Sequence, residues 1–395
     1  MTTYPRLQLN SGHDRRVQKG HLWIFSNEVN VAATPLKNFT PGALVTLLNQ
    51  SQQVLGVGYI NPNCLLCVRI LSHQEQIIDE SFFVKRFQSA LSLRTMLYAT
   101  PYYRLVFGES DGLPGLIVDR YNDTLVVQCN TAGMDQLQDR VIAALKTVLS
   151  PRRILLRNDS GHRTIEGLPL SQQMILGDNT TPLQVQENGA IFSIPLLEGQ
   201  KTGWFYDHRD NRRHLLPFVK QKTVLDVFSY LGGWAIAAAC AGAKQVTCID
   251  SSKTAISTLT HNAQLNDVAD KITAICDDAF DAMITLIDKK QHFDIVIIDP
   301  PAFIKSKKDK PAGMRAYEKL NRLALQLVST NGLMVSASCS MHLLQEDLLA
   351  VIQQATHKTG SDVSILAQWH QSLDHPIHPM IPETNYLKAM LCHKR

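Results

Sequence analysis

The stretch Thr223-Val-Leu-Asp-Val-Phe-Ser-Tyr-Leu-Gly-Gly-Trp234 decides the fold. Its first five residues are mostly apolar, as in a buried strand. The glycine pair lets the backbone approach a ligand, and a helix that follows would present its N-terminus at the same place. The stretch therefore predicts a strand, a ligand-binding turn and a helix.

The same alternation of short apolar strands and helices runs from about residue 190 to the C-terminus. Ser252 to Asn266 predicts a helix that Ser251 or Ser252 can cap. Strands are predicted at 223–227, 245–250, 272–276, 294–299 and 332–338. The pattern indicates an α/β fold with a doubly wound parallel sheet, whose ligands bind at the carboxyl ends of the strands.

Two regions with different sequence patterns precede this one. Residues 1–75 contain short β-type runs between Gly, Pro and Asn turns, a pattern typical of a small barrel. Residues 76–190 mix helices and strands, which indicates a small α/β domain. Helices are expected there at 80–98 and 135–149, and strands at 115–121, 124–129 and 153–157. We therefore predict three domains, at 1–75, 76–190 and 191–395.

Composition narrows the class of protein. The 395 residues carry a formal charge of +4, which suits a selective nucleic-acid binder and a metabolic enzyme equally. No apolar run approaches the ~18 residues that span a bilayer, and the N-terminus lacks the pattern of a signal peptide. The eight cysteines are scattered, which indicates a reducing compartment. We expect a soluble, cytoplasmic protein with no membrane partner.

Cys64 and Cys67 are the only cysteines with metal-like spacing. No second pair of ligands completes a zinc site, and the residues around them are apolar. We therefore predict a buried strand here and no metal site.

Acidic residues follow successive predicted strands. Asp226 closes the first strand, Asp250 ends the second, and Asp277-Asp278-Ala279 follow the third. Such acids can bind ribose hydroxyls and an adenine edge, although each could instead only cap a helix or a turn. The G-x-G-x-x-G motif that cradles a pyrophosphate is absent. The set favours a cofactor with ribose, adenine and a positive sulfonium but no phosphate, namely S-adenosylmethionine.

Two further motifs follow the fourth and fifth strands. Asp299-Pro-Pro-Ala-Phe303 builds a rigid, kinked edge, because each proline ring fixes φ and removes a donor. Ser338-Cys339-Ser340 places a thiol beside that corner. A lone cysteine is often a buried apolar residue, but here, between two serines, we interpret Cys339 as a nucleophile. A thiolate that attacks carbon 6 of a cytosine makes carbon 5 nucleophilic enough to accept a methyl group.

These motifs resemble those of bacterial 23S rRNA (cytosine-5)-methyltransferases of the RlmI type. Two longer stretches match in the same order, Phe107-Gly-Glu-Ser-Asp-Gly-Leu-Pro-Gly-Leu-Ile-Val-Asp-Arg-Tyr121 and Gly199-Gln-Lys-Thr-Gly-Trp-Phe-Tyr-Asp-His-Arg-Asp-Asn211. The resemblance covers essentially the whole chain. It implies an N-terminal PUA domain, a small α/β central domain and a Rossmann-like class I methyltransferase domain, with large-subunit rRNA as the partner.

The resemblance also implies roles for individual residues. Tyr206, Asp207 and Arg209 would belong to a segment that closes over the cofactor, unless they only pack the entry of the domain. The expected catalytic residues are Cys339, the nucleophile, and Asp299. The residues expected to bind S-adenosylmethionine are Asp226, Phe228, Tyr230, Gly232, Gly233, Asp250, Asp277, Asp278, Ala279, Asp299, Pro300, Tyr206 and Arg209.

One position departs from the broader class of RNA cytosine-5 methyltransferases. Those enzymes often carry a second cysteine directly after Pro-Pro, where this chain has Ala302. The resembled family shares this feature, so the assignment stands. The acceptor of the carbon-5 proton stays open between Asp299, a weak candidate, and a water molecule.

Basic residues form two clusters that could contact RNA or could only be solvated faces. The residues expected to contact RNA are Arg15, Arg16, Lys19, Lys305 and Lys307. Aromatic residues interleave the N-terminal cluster. We expect Trp23 and Phe25 to lie in the core of the barrel rather than to stack on bases.

Three other functions compete with this interpretation. An exocyclic-amine methyltransferase acting on a purine would use Asp299-Pro-Pro without a thiol. A non-catalytic RNA-binding or assembly protein could be built on a decayed methyltransferase. A nicotinamide oxidoreductase is the weakest alternative, because its phosphate-binding loop is missing. The sequence leaves monomer and homodimer open.

Overall fold

The computed structural model describes residues 4–197, 199 and 201–395. The chain divides into two compact units, each described by itself below. One unit contains residues up to Leu183, Pro195–Trp204 and Asp374–Thr384, and the other contains Gln184–Ile194, Phe205–Leu373 and Asn385–Arg395. The three-domain division at residues 75 and 190 remains a prediction.

The first unit begins with a small five-stranded barrel. Its strands are β1 (Arg6–Gln8), β2 (Trp23–Phe25), β3 (Leu44–Leu48), β4 (Val54–Ile60) and β5 (Leu66–Ser72), with helix α1 (Asp14–Gln18) between the first two. The strand order is β1-β3-β4-β5-β2. An isolated antiparallel bridge between Leu9, just after β1, and Val29, four residues after β2, links the segments that follow the two edge strands. The predicted barrel is confirmed.

The prediction for the aromatic residues of β2 is wrong for Phe25. Ile24 is 1% exposed and lies in the barrel core, whereas Phe25 is 36% exposed. Because neighbouring side chains of a strand point to opposite faces, the burial of Ile24 turns Phe25 outward. Trp23 is half-buried and packs against the barrel core, and its indole Nε1 donates to Glu109 Oε1 at 3.0 Å.

The expected buried strand around the two spaced cysteines is correct for one of them. Cys67 lies in β5 and is 1% exposed. Cys64 precedes the strand and is half-buried, and its Sγ donates to the Ile165 carbonyl at 3.4 Å. A turn at residues 62–64 starts the strand later than the apolar run suggests.

The rest of the first unit is built on a second five-stranded sheet. Its elements are α2 (Glu80–Leu97), β6 (Tyr102–Phe107), β7 (Leu116–Tyr121), β8 (Thr124–Cys129), α3 (Ala132–Gln136), α4 (Gln138–Leu149), β9 (Arg153–Asn158), α5 (His162–Ile165) and β10 (Ser171–Leu176). The order is β10-β9-β8-β7-β6, and only β8 and β9 pair in parallel. Helix α2 starts where Asp79 accepts a hydrogen bond from the Phe82 amide. The helix expected at 135–149 is interrupted at Leu137, between α3 and α4.

The second unit contains the parallel sheet that the opening stretch predicts. It begins with a hairpin of β11 (Leu183–Glu187) and β12 (Ala190–Ile194) and continues with α6 (Arg209–Leu215), β13 (Thr223–Val227), α7 (Gly233–Cys240), β14 (Gln245–Asp250), α8 (Lys253–Leu265), β15 (Ile272–Cys276), α9 (Ala279–Asp288), β16 (Phe293–Ile298), α10 (Lys310–Leu327), β17 (Val328–Ser338), α11 (Gln345–Thr359), β18 (Val363–Trp369) and β19 (Lys388–Lys394). The order is β15-β14-β13-β16-β17-β19-β18. All pairs are parallel except those of β19.

The local sequence explains these elements well. Ser252 caps α8 through a hydrogen bond from the Ala255 amide to its Oγ at 3.2 Å, as expected. Val224, Leu225 and Val227 of β13 are fully buried between β14 and β16. The predicted Rossmann-like α/β architecture is confirmed. None of the described helices has the length and apolar character needed to cross a membrane.

Candidate active site

The turn after β13 has an unusual backbone. Phe228 and Tyr230 both have positive φ, 66° and 49°, a conformation that non-glycine residues adopt at a cost. Hydrogen bonds hold the turn in place: the Ser229 amide donates to the Ile249 carbonyl at 3.0 Å, and the Tyr230 amide donates to Asp250 Oδ2 at 2.9 Å. Strain of this kind is common where a loop is shaped for a ligand.

Gly232 is required by both conformation and space. Its φ is 87°, in the left-handed region. A Cβ at this position would lie 2.8 Å from Ile236 Cδ1 and 3.0 Å from Leu259 Cγ. The following residue, Gly233, starts α7, so the helix N-terminus meets the strand end at this turn.

Asp226 lies beneath the turn with no exposed surface. Its Oδ2 accepts a hydrogen bond from the Ala235 amide at 3.1 Å and so ties the start of α7 to β13. Its Oδ1 is buried and has no hydrogen-bond partner among the described residues. Burial, with the negative charge of Asp299 second, raises the pKa of Asp226 to about 8.

The acids after the next two strands bind backbone amides. Asp250 accepts from the Tyr230 amide through Oδ2 and from the Ser252 amide through Oδ1, both within 2.9 Å. Asp278 caps α9 by accepting from the Phe280 and Asp281 amides. Within the chain, these acids therefore make the contacts of residues that cap a helix or a turn. We call Asp226, Asp250, Asp277 and Asp278 the acid row; Asp277 and Asp278 are exposed.

Asp299, after β16, contacts two side chains that were not predicted from the sequence. Its Oδ1 forms an ion pair with His208 Nε2 at 3.1 Å, and its Oδ2 accepts from Trp234 Nε1 at 3.2 Å. Burial alone would raise the pKa of Asp299, but His208 and Trp234 outweigh burial and lower it. Burial would lower the pKa of His208, and Asp299 outweighs that effect and raises it. Each partner therefore favours the charged form of the other.

The residues expected to close over the cofactor are packed inside the second unit. Tyr206 is fully buried, and the guanidinium of Arg209 lies 5.0 Å from the centre of its ring. Glu187 of β11 forms ion pairs with Arg209 at 3.4 Å and with Arg212 at 2.6 Å. These contacts are those expected if the residues only pack the entry of the domain. That the segment closes over the cofactor stays a prediction. Gln200 of the same motif lies outside the described residues.

The predicted nucleophile lies where β17 ends. Cys339 is half-buried, and its Sγ lies 4.0 Å from the Pro300 carbonyl, to which it donates. The structure therefore brings the Ser338-Cys339-Ser340 motif and the Asp299-Pro-Pro motif together. We call residues 299–303 and 338–340 the thiol corner.

A buried tyrosine is hydrogen-bonded to both serines of the thiol corner. The Tyr317 hydroxyl on α10 lies 2.9 Å from Ser340 Oγ and accepts from Ser338 Oγ at 2.8 Å. The Ile304 amide donates to Ser340 Oγ at 3.2 Å, which links the two segments of the corner. Tyr317 was not predicted from the sequence. The signal was the two serines beside Cys339, since buried hydroxyls need a polar partner.

The basic residues expected to contact RNA differ in their surroundings. Arg15 and Lys19 are exposed in the first unit, and Lys305 and Lys307 are exposed in the second. Arg16 is partly engaged, because its Nη2 donates to both carboxylate oxygens of Glu28 at 2.8 Å.

Known proteins resemble both units. Residues 7–73 match the PUA-like domain family, and residues 210–367 match the family "Conserved hypothetical protein 95". A chain from Streptococcus mutans described as a SAM-dependent methyltransferase has a TM-score of 0.83 and 22% identity, over 98% of this chain and all of that one. A methyltransferase crystallised with SAH has a TM-score of 0.84 at 22% identity, with the same coverage. The fold is thus that of a class I methyltransferase domain, in a chain that also carries a PUA-like domain.

Curated relatives give a finer assignment. "Ribosomal RNA large subunit methyltransferase I" of Klebsiella pneumoniae (strain 342) is 32% identical over 395 residues, 98% of each chain. The protein of the same name from Escherichia coli O139:H28 is 32% identical over 393 residues, again 98% of each. The chain belongs to the ribosomal RNA large subunit methyltransferase I family, as the motifs predict.

Proposed function

We propose that this protein methylates carbon 5 of a cytosine in large-subunit rRNA, with S-adenosylmethionine as donor and Cys339 as nucleophile. The position of Cys339 carries the proposal: its half-buried Sγ lies beside Pro300, at the carboxyl end of a strand in the methyltransferase sheet. The names of the curated relatives support rRNA as the substrate. An rRNA substrate also agrees with the cytoplasmic location expected from the cysteines.

The residues after β13 to β16 fit S-adenosylmethionine. The buried Asp226 Oδ1 has no hydrogen-bond partner among the described residues and can accept one from a ligand. Asp277 and Asp278 are exposed carboxylates, which suit hydroxyl and amino donors and a cationic centre. Phe228, Tyr230 and Gly232 shape the turn against which the cofactor would lie. The bound cofactor supplies an electrophilic methyl group on a positive sulfur.

The thiol corner supplies the remaining chemistry. The Cys339 thiolate forms a bond from Sγ to carbon 6, and the electrons of the carbon 5–carbon 6 double bond become available at carbon 5. Carbon 5 would bond to the methyl group while the sulfur–methyl bond of the donor breaks and its electron pair stays on sulfur. A base then removes the proton from carbon 5. The electrons of that C–H bond restore the double bond and expel the Cys339 thiolate.

A water molecule is the better proton acceptor than Asp299. Both oxygens of Asp299 are engaged, one with His208 and the other with Trp234. The same partners hold the pKa of Asp299 below its usual value, which makes it a weak base. Asp299 is better suited to orient the corner and the base bound there.

Exposed lysines and arginines would position the RNA. Lys305 and Lys307 follow the thiol corner directly, so phosphate contacts there would place a nucleotide near Cys339. Arg15 and Lys19 of the barrel are the proposed contacts of the first unit.

Methylation of rRNA from cells that lack the gene tests the proposal. Purified protein, labelled S-adenosylmethionine and this rRNA should give label in 5-methylcytidine when the nucleosides are separated by mass spectrometry. Cys339→Ala should give none, whereas Cys276→Ala, at the exposed end of β15, should match the wild type. Label in a methylated purine, or turnover by Cys339→Ala, would instead support the exocyclic-amine reaction.

A further inference from the structure

The last strand of the methyltransferase sheet brings a lysine to the thiol corner. In the antiparallel pair of β17 and β19, Lys388 lies opposite Ser338, the residue before Cys339. Opposed side chains of an antiparallel pair lie on the same face of the sheet. Lys388 Nζ donates to the carbonyl of Ser340, the residue after Cys339, at 2.8 Å. The ammonium is therefore fixed on the backbone turn that carries the thiol.

Lys388 is buried without a carboxylate partner among the described residues. The residue is 5% exposed. The carboxylate whose charge acts on Lys388, that of Asp347 on α11, forms its ion pair with Lys310 of α10 at 2.6 Å. The other titratable group that α10 presents to the corner is the Tyr317 hydroxyl. A buried cation is costly unless an anion compensates it, and the Cys339 thiolate is the anion that this arrangement can provide.

The titration of Lys388 agrees with this arrangement. Burial lowers the pKa of Lys388 to about 8, while negative charge on Cys339 and, next, on Asp347 acts in the opposite direction. The side chain is therefore positively charged at neutral pH, and it loses that charge as the pH rises above about 8.

We propose that the Lys388 ammonium stabilises the thiolate of Cys339 and is the positioning residue that activates this nucleophile. On ionisation the S–H bond breaks, its electron pair stays on Sγ and the proton passes to water, while the ammonium keeps its own protons. A nearby cation lowers the pH at which a thiol ionises, and one pH unit corresponds to a tenfold change in thiolate. The inference rests on the proposed nucleophilic role of Cys339, but ionisation of the thiol can be measured without RNA.

Alkylation of the full-length protein by iodoacetamide from pH 5 to pH 9 tests the proposal. The rate is read for the Cys339 peptide by mass spectrometry, with exposed Cys240 and Cys276 as internal standards. Lys388→Met removes the charge and Lys388→Arg retains it. Lys394→Met is the matched control, because Lys394 lies on the same strand and donates to the Leu325 and Val328 carbonyls instead.

We expect Lys388→Met to move the midpoint of the Cys339 profile up by about one pH unit, and to slow alkylation at pH 7 roughly tenfold. Lys388→Arg and Lys394→Met should keep the wild-type midpoint, and the two standards should be unchanged in every variant. An unchanged midpoint in Lys388→Met would overturn the inference even if the wild type makes 5-methylcytidine. A shifted midpoint in a protein that methylates only purines would refute the proposed function and leave the thiolate–ammonium pair intact.

Discussion

The acid row and the thiol corner lie at strand ends of one sheet, yet their polar side chains are used differently. In the acid row, Asp226, Asp250 and Asp278 accept hydrogen bonds from the backbone amides of neighbouring turns and helix starts. In the thiol corner, Ser338 and Ser340 bond to the Tyr317 hydroxyl. The acids thus shape loops, whereas the hydroxyls fix the backbone on either side of Cys339, the proposed nucleophile. Substitutions in the acid row should therefore alter binding and stability, and those in the thiol corner should alter turnover.

The largest effect is expected for Cys339→Ala. Loss of the nucleophile should lower the methylation rate by about a thousandfold or more, because carbon 5 of cytosine is not activated without the bond from Sγ to carbon 6. Binding of S-adenosylmethionine, measured by calorimetry, should stay within about twofold of the wild type, because Cys339 is not in the acid row. Weakened cofactor binding would break the distinction between the two regions.

Tyr317→Phe should slow turnover without weakening cofactor binding. The variant leaves the Ser338 and Ser340 hydroxyls without their shared partner, so the thiol corner loses its support. We expect kcat to fall about tenfold and the free energy of unfolding to fall by about 1 kcal/mol. Tyr103→Phe, at a buried tyrosine of the first unit, provides a control for the stability cost alone. Equal kcat in the two variants would contradict the supporting role of Tyr317.

Asp226→Asn should raise the stability of the protein and weaken its binding of the cofactor. The pKa of Asp226 is raised to about 8 in the folded protein, so its protonated form favours folding. That contribution is fully present below the ordinary aspartate pKa near 4 and is lost as the pH rises toward 8. Asparagine carries no such charge, so in urea unfolding the variant should gain stability relative to the wild type as the pH rises from 4 to 8, by up to about 5 kcal/mol.

The same variant should bind S-adenosylmethionine more weakly, by about tenfold, because it alters the buried Oδ1 that has no partner among the described residues. A stability difference that does not grow between pH 4 and pH 8 would contradict the burial argument. Unchanged cofactor affinity would show that Asp226 does not contribute to cofactor binding.

The smallest effect is expected for the exposed lysines that follow the thiol corner. Lys305→Ala with Lys307→Ala should raise KM for rRNA severalfold and leave kcat nearly unchanged, since phosphate contacts position RNA without taking part in the reaction. The dependence of KM on salt should weaken by about one charge per lysine. A fall in kcat with unchanged KM would indicate instead that these side chains take part in the reaction at the thiol corner.

Most of the sheet could be predicted from the sequence, because its strands are short apolar runs between polar turns. β13, β14 and β15 begin and end at the predicted residues. Strand ends also indicated Asp226, Asp250, Asp299 and Cys339, since ligands of a parallel sheet bind there. The orientation of Phe25 was not predictable in this way, because one step in strand register reverses the faces.

The supporting side chains could not be predicted from local patterns. His208 pairs with Asp299, and Lys388 with the carbonyl of Ser340, across long stretches of chain. Such partners depend on which strands become neighbours, and the antiparallel insertion of β19 beside β17 has no local signature. Buried polar groups nevertheless require partners, so the serines beside Cys339 implied that some polar residue lay beneath them.

Trapping of the covalent adduct tests the central claim most directly. In rRNA that contains 5-fluorocytidine, the fluorine at carbon 5 cannot leave as a proton does, so the bond between Sγ and carbon 6 should persist after methyl transfer. The account predicts a denaturation-resistant complex that requires S-adenosylmethionine, maps to Cys339 and is absent from Cys339→Ala. An adduct at another residue, or no adduct with rRNA that the wild type methylates, would contradict it.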